Sequence, residues 1–161
     1  YSLAMQMAGI PENGVVYDLY CGGGALGMCA ARKAKLVLGI ELSPESSLDA
    51  RENAKRNQLE NVTILTGSVG EVLDKIRNEK SYPLPDVVMV DPPRAGLDPA
   101  AIANLKALAA PKIVYISCNP DSQVKNVEML IDAGYRLKGI QPVDQFPHTI
   151  HIENIVMLEK L

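Results

Sequence analysis

Val15-Val16-Tyr17-Asp18-Leu19-Tyr20-Cys21-Gly22-Gly23-Gly24-Ala25-Leu26-Gly27 is the stretch that decides the fold. Val15–Tyr20 reads as a buried strand and Ala25–Lys33 as a helix, so the glycines fall in a strand-to-helix turn. Gly22, Gly24 and Gly27 form G-x-G-x-x-G, which lets a ligand approach backbone N–H groups at a helix N-terminus. Glu41 ends the next strand, Leu36–Glu41, and supplies a carboxylate for ribose hydroxyls. Taken alone, this loop fits NAD. Asp18 shifts the balance. A carboxylate beside the turn would repel a pyrophosphate. S-adenosylmethionine has no phosphate, and it carries a cationic amino group and a sulfonium.

Outward from the turn, strand and helix patterns alternate. Ser43 caps a helix opening at Pro44 and running to about Asn57. Val62–Leu65 follows as strand, Ser68–Asn78 as helix and Asp86–Val90 as strand. Asp98-Pro99 opens a helix to about Leu108, and Lys112–Ser117 reads as the next strand. A helix starting near Asn119-Pro120 runs to about Ala133 and stops at Gly134. Tyr135–Val143 and Ile152–Leu158 have no helical pattern between them and are expected to pair antiparallel. The expectation is an α/β, Rossmann-like, doubly wound, mostly parallel sheet with an antiparallel C-terminal edge.

The chain has 161 residues, 47% apolar and 22% charged, which suits one globular domain. It opens on Tyr1 rather than Met, with no signal-peptide layout, and reads as part of a longer protein. No apolar run is long enough to span a membrane. Cys21, Cys29 and Cys118 form no C-x-x-C pair, which argues against a disulfide framework and a zinc site, and points to a reducing cytoplasm. The net charge of −3 is unusual for a stand-alone nucleic-acid binder, so phosphate contacts are expected from other parts of a larger protein.

Three further segments carry chemistry. Ser117-Cys118-Asn119-Pro120 places a thiol at the C-terminal end of a buried strand, where open α/β sheets bind ligands. Asp91-Pro92-Pro93-Arg94 ends another strand in a stiffened loop. His148, His151 and Glu153 cluster near the C-terminus. The histidines share no helix face and lack a third strong ligand, so no metal is expected. Glu153, flanked by Ile152 and Ile155, is a candidate for partial desolvation and proton transfer.

Asp18-Leu19-Tyr20-Cys21-Gly22-Gly23-Gly24, Asp91-Pro92-Pro93-Arg94-Ala95-Gly96, Ser117-Cys118-Asn119-Pro120 and Asp144-Gln145-Phe146-Pro147-His148-Thr149 with His151-Ile152-Glu153 stand in order along the chain. Together they resemble the catalytic domain of the RNA (uracil-5-)-methyltransferase family. The resemblance implies a class I methyltransferase domain over residues 1–161, without the family's upstream RNA-binding domains. It implies methyl transfer from S-adenosylmethionine to C5 of a uridine in ribosomal or transfer RNA. Cys118 would add covalently to C6, and Glu153 would remove the C5 proton. Asp18, Tyr20, Gly22, Gly24, Ala25, Glu41, Ser68 and Asp91 would line the cofactor site. Asp91, Pro92, Arg94, Asn119 and His148 would meet the RNA. The chain departs from the family at Asp121-Ser122 and Asn126, where Ala-Thr and Asp are usual, and at Ser68, where an acidic or amide residue is common. Two other readings stay open: methylation of another RNA position with Cys118 structural, and a non-catalytic domain that binds cofactor or a partner.

Overall fold

A computed structural model describes residues 1–145 and 147–161. The elements in chain order are α1 (Ser2–Ala8), β1 (Val15–Leu19), α2 (Ala25–Ala31), β2 (Leu36–Glu41), α3 (Pro44–Arg56), β3 (Val62–Thr66) and α4 (Val69–Glu79). There follow β4 (Val87–Val90), α5 (Pro99–Leu108), β5 (Lys112–Ser117), α6 (Pro120–Asp132), β6 (Tyr135–Val143) and β7 (Glu153–Lys160). One sheet joins the strands in the order β3-β2-β1-β4-β5-β7-β6. β1 to β5 run parallel, and β7 is antiparallel to both β5 and β6.

Both faces of the sheet are covered, which is why β1 and β4 are buried at every residue. On one face Tyr17, Leu19, Val88, Val90 and Tyr115 pack with Leu73 of α4, Leu105 of α5 and Leu130 of α6. On the other, Val16, Met89, Val114, Ile116 and Ile155 pack with Ala4 and Ala8 of α1 and Leu26 and Ala30 of α2. The strand order reverses between β1 and β4, so their carboxyl ends open a crevice.

Side chains set the helix starts. Ser43, Ser68, Asp98 and Asn119 accept from the backbone N–H of Ser46, Glu71, Ala101 and Asp121 at 3.2, 3.4, 2.8 and 3.2 Å.

The structure adds one element to the expected order and moves some ends. α1 is an added helix, short enough that only Ala4 and Ala8 are buried, and two apolar contacts make no readable period. α2 stops at Ala31, before Lys33. β7 begins at Glu153 and continues to Lys160, because Tyr135 on the edge strand pairs with Lys160.

Candidate active site

The candidate cofactor cradle is built around Asp18. Its side chain is 1% exposed, and Oδ2 accepts from the Gly27 N–H inside α2 at 2.7 Å. Its Oδ1 is buried without a hydrogen-bond partner among the described residues. Burial, opposed by the Gly27 bond and reinforced by Asp91 and Glu41, pushes its pKa up to about 7. A buried acceptor left unsatisfied invites a donor-bearing or cationic group. That fits an aminated, phosphate-free cofactor better than a pyrophosphate.

Glu41 holds the turn from the next strand. Oε2 accepts from Gly22 N at 2.9 Å and Oε1 from Ser43 N at 2.8 Å. Gly24 caps α2 at φ 82°, a left-handed conformation that a side chain would strain. Ala25 begins α2 and is exposed toward the opening. Tyr20, at φ 61°, donates its hydroxyl to Asp98 Oδ2 at 3.0 Å. Ser68 uses its hydroxyl as the α4 cap.

The nucleophile and base candidates come together through β-sheet register. β5 and β7 pair antiparallel up to Ser117↔Asn154. Cys118 follows the last β5 residue of that ladder and Glu153 precedes its last β7 partner, so the two stand at adjacent strand ends. Asp91 and Glu153 share a cleft with Ile116 and Ile155, whereas Cys118, just past the end of β5, lines the neighbouring cleft. Cys118 is half-buried.

Two neighbouring clefts serve these groups. One, of about 300 Å³, is walled by Asp91, Glu153, Ile116 and Ile155, with Tyr1 and Leu3 at the start of α1 closing it. Burial and the Glu153 charge push the Asp91 pKa up to about 6. Burial likewise raises Glu153 above the usual carboxylate range. Carboxyls raised by burial are suited to proton transfer.

The other cleft, of about 310 Å³, is lined by Cys118, Asn119, Arg94 and His151. Arg94 Nη2 donates to His151 Nδ1 at 3.2 Å, which places the proton of a neutral His151 ring on Nε2. The Arg94 carbonyl accepts from Asn119 Nδ2 at 2.9 Å, tying the Asp91–Arg94 loop to the segment after Cys118. Arg94 makes no ion pair among the described residues. Pro92 is buried.

His148 sits exposed in a turn at φ 70°, and His151 rather than His148 lines the Cys118 cleft. Phe146 of the C-terminal motif lies outside the described residues. Asn126, which stands out in sequence only as a departure, is buried beneath this loop. Its Oδ1 accepts from Leu97 N and Tyr115 Oη, each at 2.9 Å. Tyr1 and Leu3 were also invisible as site residues, because the helix that carries them was. Among the described residues no three His, Cys, Asp or Glu side chains gather as a metal site, and no helix is long and apolar enough to cross a membrane.

Comparison with known proteins shows which family the chain is similar to. A family model described as tRNA (uracil-5-)-methyltransferase matches residues 4–161. An uncharacterized RNA methyltransferase of Protochlamydia amoebophila is 60% identical over 158 residues, covering 98% of this chain and 36% of its own length. A second, from Caldanaerobacter subterraneus subsp. tengcongensis, is 41% identical over 160 residues, covering 99% of this chain and 34% of its own length. Among solved structures, the tRNA (uracil-54, C5)-methyltransferase of Pyrococcus abyssi in complex with S-adenosyl-L-homocysteine superposes with a TM-score of 0.82. It is 32% identical, and the match covers 98% of this chain and 37% of that one. The chain thus spans about a third of the length of the curated relatives it matches, at 36% and 34%.

Proposed function

The chain belongs to the tRNA (uracil-5-)-methyltransferase family, and from that membership we propose that it methylates C5 of a uridine in transfer or ribosomal RNA through a covalent Cys118 adduct. The observation that supports the proposal is the β5–β7 ladder, whose last pair, Ser117↔Asn154, leaves Cys118 and Glu153 at adjacent strand ends.

S-adenosylmethionine, when bound, supplies an electrophilic methyl group on a sulfonium. Asp18 would meet its amino group, Glu41 its ribose hydroxyls, and Gly22, Gly24 and Ala25 would let it approach the turn. Tyr20, Ser68 and Asp91 complete the cradle.

Uracil C5 is too weak a nucleophile to react unaided. The Cys118 thiolate therefore forms a bond to C6, and the C5–C6 electron pair moves toward O4 as an enolate. Arg94, a guanidinium beside Cys118 that can only donate, stabilises that negative charge or an adjoining phosphate. C5 then takes the methyl group. Glu153 removes the C5 proton, the C5–C6 double bond re-forms, and the C6–sulfur bond breaks to release Cys118. Pro92 shapes the Asp91–Arg94 loop against the base, and Asn119 and His148 complete the RNA contacts. The base must leave its stack to reach these groups. All three cysteines are free thiols, as a thiolate nucleophile in a reducing cytoplasm requires.

The test is intact-mass spectrometry of the full-length protein with S-adenosylmethionine and RNA carrying 5-fluorouridine. Fluorine cannot leave as a proton, so a methylated covalent adduct should accumulate and be absent in Cys118→Ala. Normal uridine methylation by Cys118→Ala would sink the covalent mechanism.

A further inference from the structure

We infer that Gln123 is a positioning residue that sets the nucleophile–base pair, an inference that rests on the uracil-methylating reading above. The β5–β7 ladder ends at Ser117↔Asn154. Cys118 and Glu153 are the next residues outward, and although Glu153 pairs with Val143 of β6, no β5–β7 pairing fixes its offset from Cys118. Ladder ends open most readily.

Gln123 stands in the first turn of α6, which begins directly after the Cys118 loop. Its side chain is 1% exposed. Nε2 donates to the Tyr115 carbonyl of β5 at 2.9 Å and to the Asn154 carbonyl of β7 at 3.2 Å. Oε1 accepts from Asn154 Nδ2 at 2.7 Å. A flipped amide would set oxygen against both carbonyls and nitrogen against nitrogen, so the orientation is determined. One buried amide therefore spans both strands and the helix at the point where the ladder stops. Bonds of this kind hold geometry well because no water competes for them.

Cys118 follows a central strand and is further braced by Ser117 Oγ, which accepts from Asn119 N at 3.0 Å. Glu153 pairs with Val143 of the edge strand β6, which can shift with it against β5, and the segment before it is irregular. Loss of the Gln123 bonds should then displace Glu153 more than Cys118. Addition to C6 survives, and proton removal from C5 slows.

The experiment uses full-length protein, uridine RNA and labelled S-adenosylmethionine. It compares wild type, Gln123→Met and Asn154→Ala. Methionine keeps the length of Gln123 and removes every bond. Three quantities are read: turnover, the fraction of protein held as covalent RNA adduct, and affinity for S-adenosyl-L-homocysteine. Gln123→Met should turn over roughly 10- to 100-fold more slowly, the loss expected for a misplacement of about 1 Å. The ratio of adduct to product should rise by a similar factor, with S-adenosyl-L-homocysteine affinity unchanged, because none of the Gln123 bonds reaches a residue of the cofactor cradle. A purely structural role would lower adduct and product together.

A wild-type ratio in a folded Gln123→Met overturns this inference alone. Should that variant lose cofactor binding through misfolding, Asn154→Ala decides by the same ratio, since it cuts one bond of the clamp from a half-buried position. Absence of any Cys118-dependent adduct from wild type with 5-fluorouridine RNA overturns the parent reading, and this inference with it.

Discussion

Asp18 is the residue whose energetics are most out of balance. Its acid form is favoured by burial, with a pKa of about 7 against an ordinary 3.8. The folded state therefore binds more protons than the unfolded state between those values. Its contribution to stability is fully present below the unfolded value and is lost as pH rises through the folded one. Unfolding of the cofactor-free protein at pH 5 and pH 8 should show wild type losing more stability than Asp18→Asn; parallel losses would contradict the raised pKa. The same substitution should weaken S-adenosyl-L-homocysteine binding by about 10- to 100-fold in calorimetry, the scale of a charged hydrogen bond of roughly 1.5–3 kcal/mol. Glu153 acts in the opposite sense on rate. It accepts a proton only when ionised, and burial raises its pKa. Release of the adduct should accelerate as pH rises through that pKa. In Glu153→Gln this acid limb should vanish, and release should slow by roughly 10²- to 10⁴-fold, the usual worth of a positioned base.

At the scale of elements, two contacts hold the site's walls. The Asp91–Asp98 loop is pinned to β5 and α6 by the Asn126 side chain. Gly96 makes room for it at φ 83°, where an added Cβ would come within 2.5 Å of Asn126 Oδ1. Asn126→Ala leaves a buried N–H and a buried hydroxyl without partners. Each such loss costs about 1–3 kcal/mol, so denaturant midpoints should fall by the equivalent of roughly 2–6 kcal/mol. α2 and β1 meet just as closely at Gly27. A Cβ there would lie 2.7 Å from Asp18 Oδ2 and 3.0 Å from Val37 Cγ1. Gly27→Ala must shift the helix or turn the carboxylate. It should destabilise by about 1–3 kcal/mol and weaken cofactor binding together with stability; a tightly binding, fully stable variant would mean the cradle adapts.

Across the whole molecule, the sheet supplies the frame, and the crevice at its carboxyl ends is where the proposed ligands would bind. Cofactor bound across β1 and β2 should stabilise the fold by mass action. With S-adenosyl-L-homocysteine at a hundred times its Kd, the gain is about 2.7 kcal/mol. For a domain of this size each kcal/mol moves Tm by about 2–4 °C, so thermal melts should shift upward by roughly 5–11 °C. No shift with excess ligand would remove the cofactor assignment. Of the two clefts near the β5–β7 junction, one holds the carboxyls Asp91 and Glu153 and the other the Cys118 thiol and the Arg94 guanidinium.

Local chemistry made most of this legible in the chain itself. Alternating buried strands and capped helices specify the α/β order, because caps, prolines and apolar runs act over a few residues. The Asp18–Gly27 turn, Glu41, Cys118 and Glu153 were readable for the same reason, as residue types at fixed offsets from strand ends. Only the folded molecule decided the rest. α1 forms because Ala4 and Ala8 pack beneath β5 and β7, a contact that leaves no period in so short a stretch. Asn126 and Gln123 look like ordinary polar positions on a helix until α6 buries them against loops and strands distant in sequence. His151 meets Arg94 across 57 residues of chain. Each of these depends on sheet register and helix docking, which are set by the burial of many side chains at once rather than by any one segment.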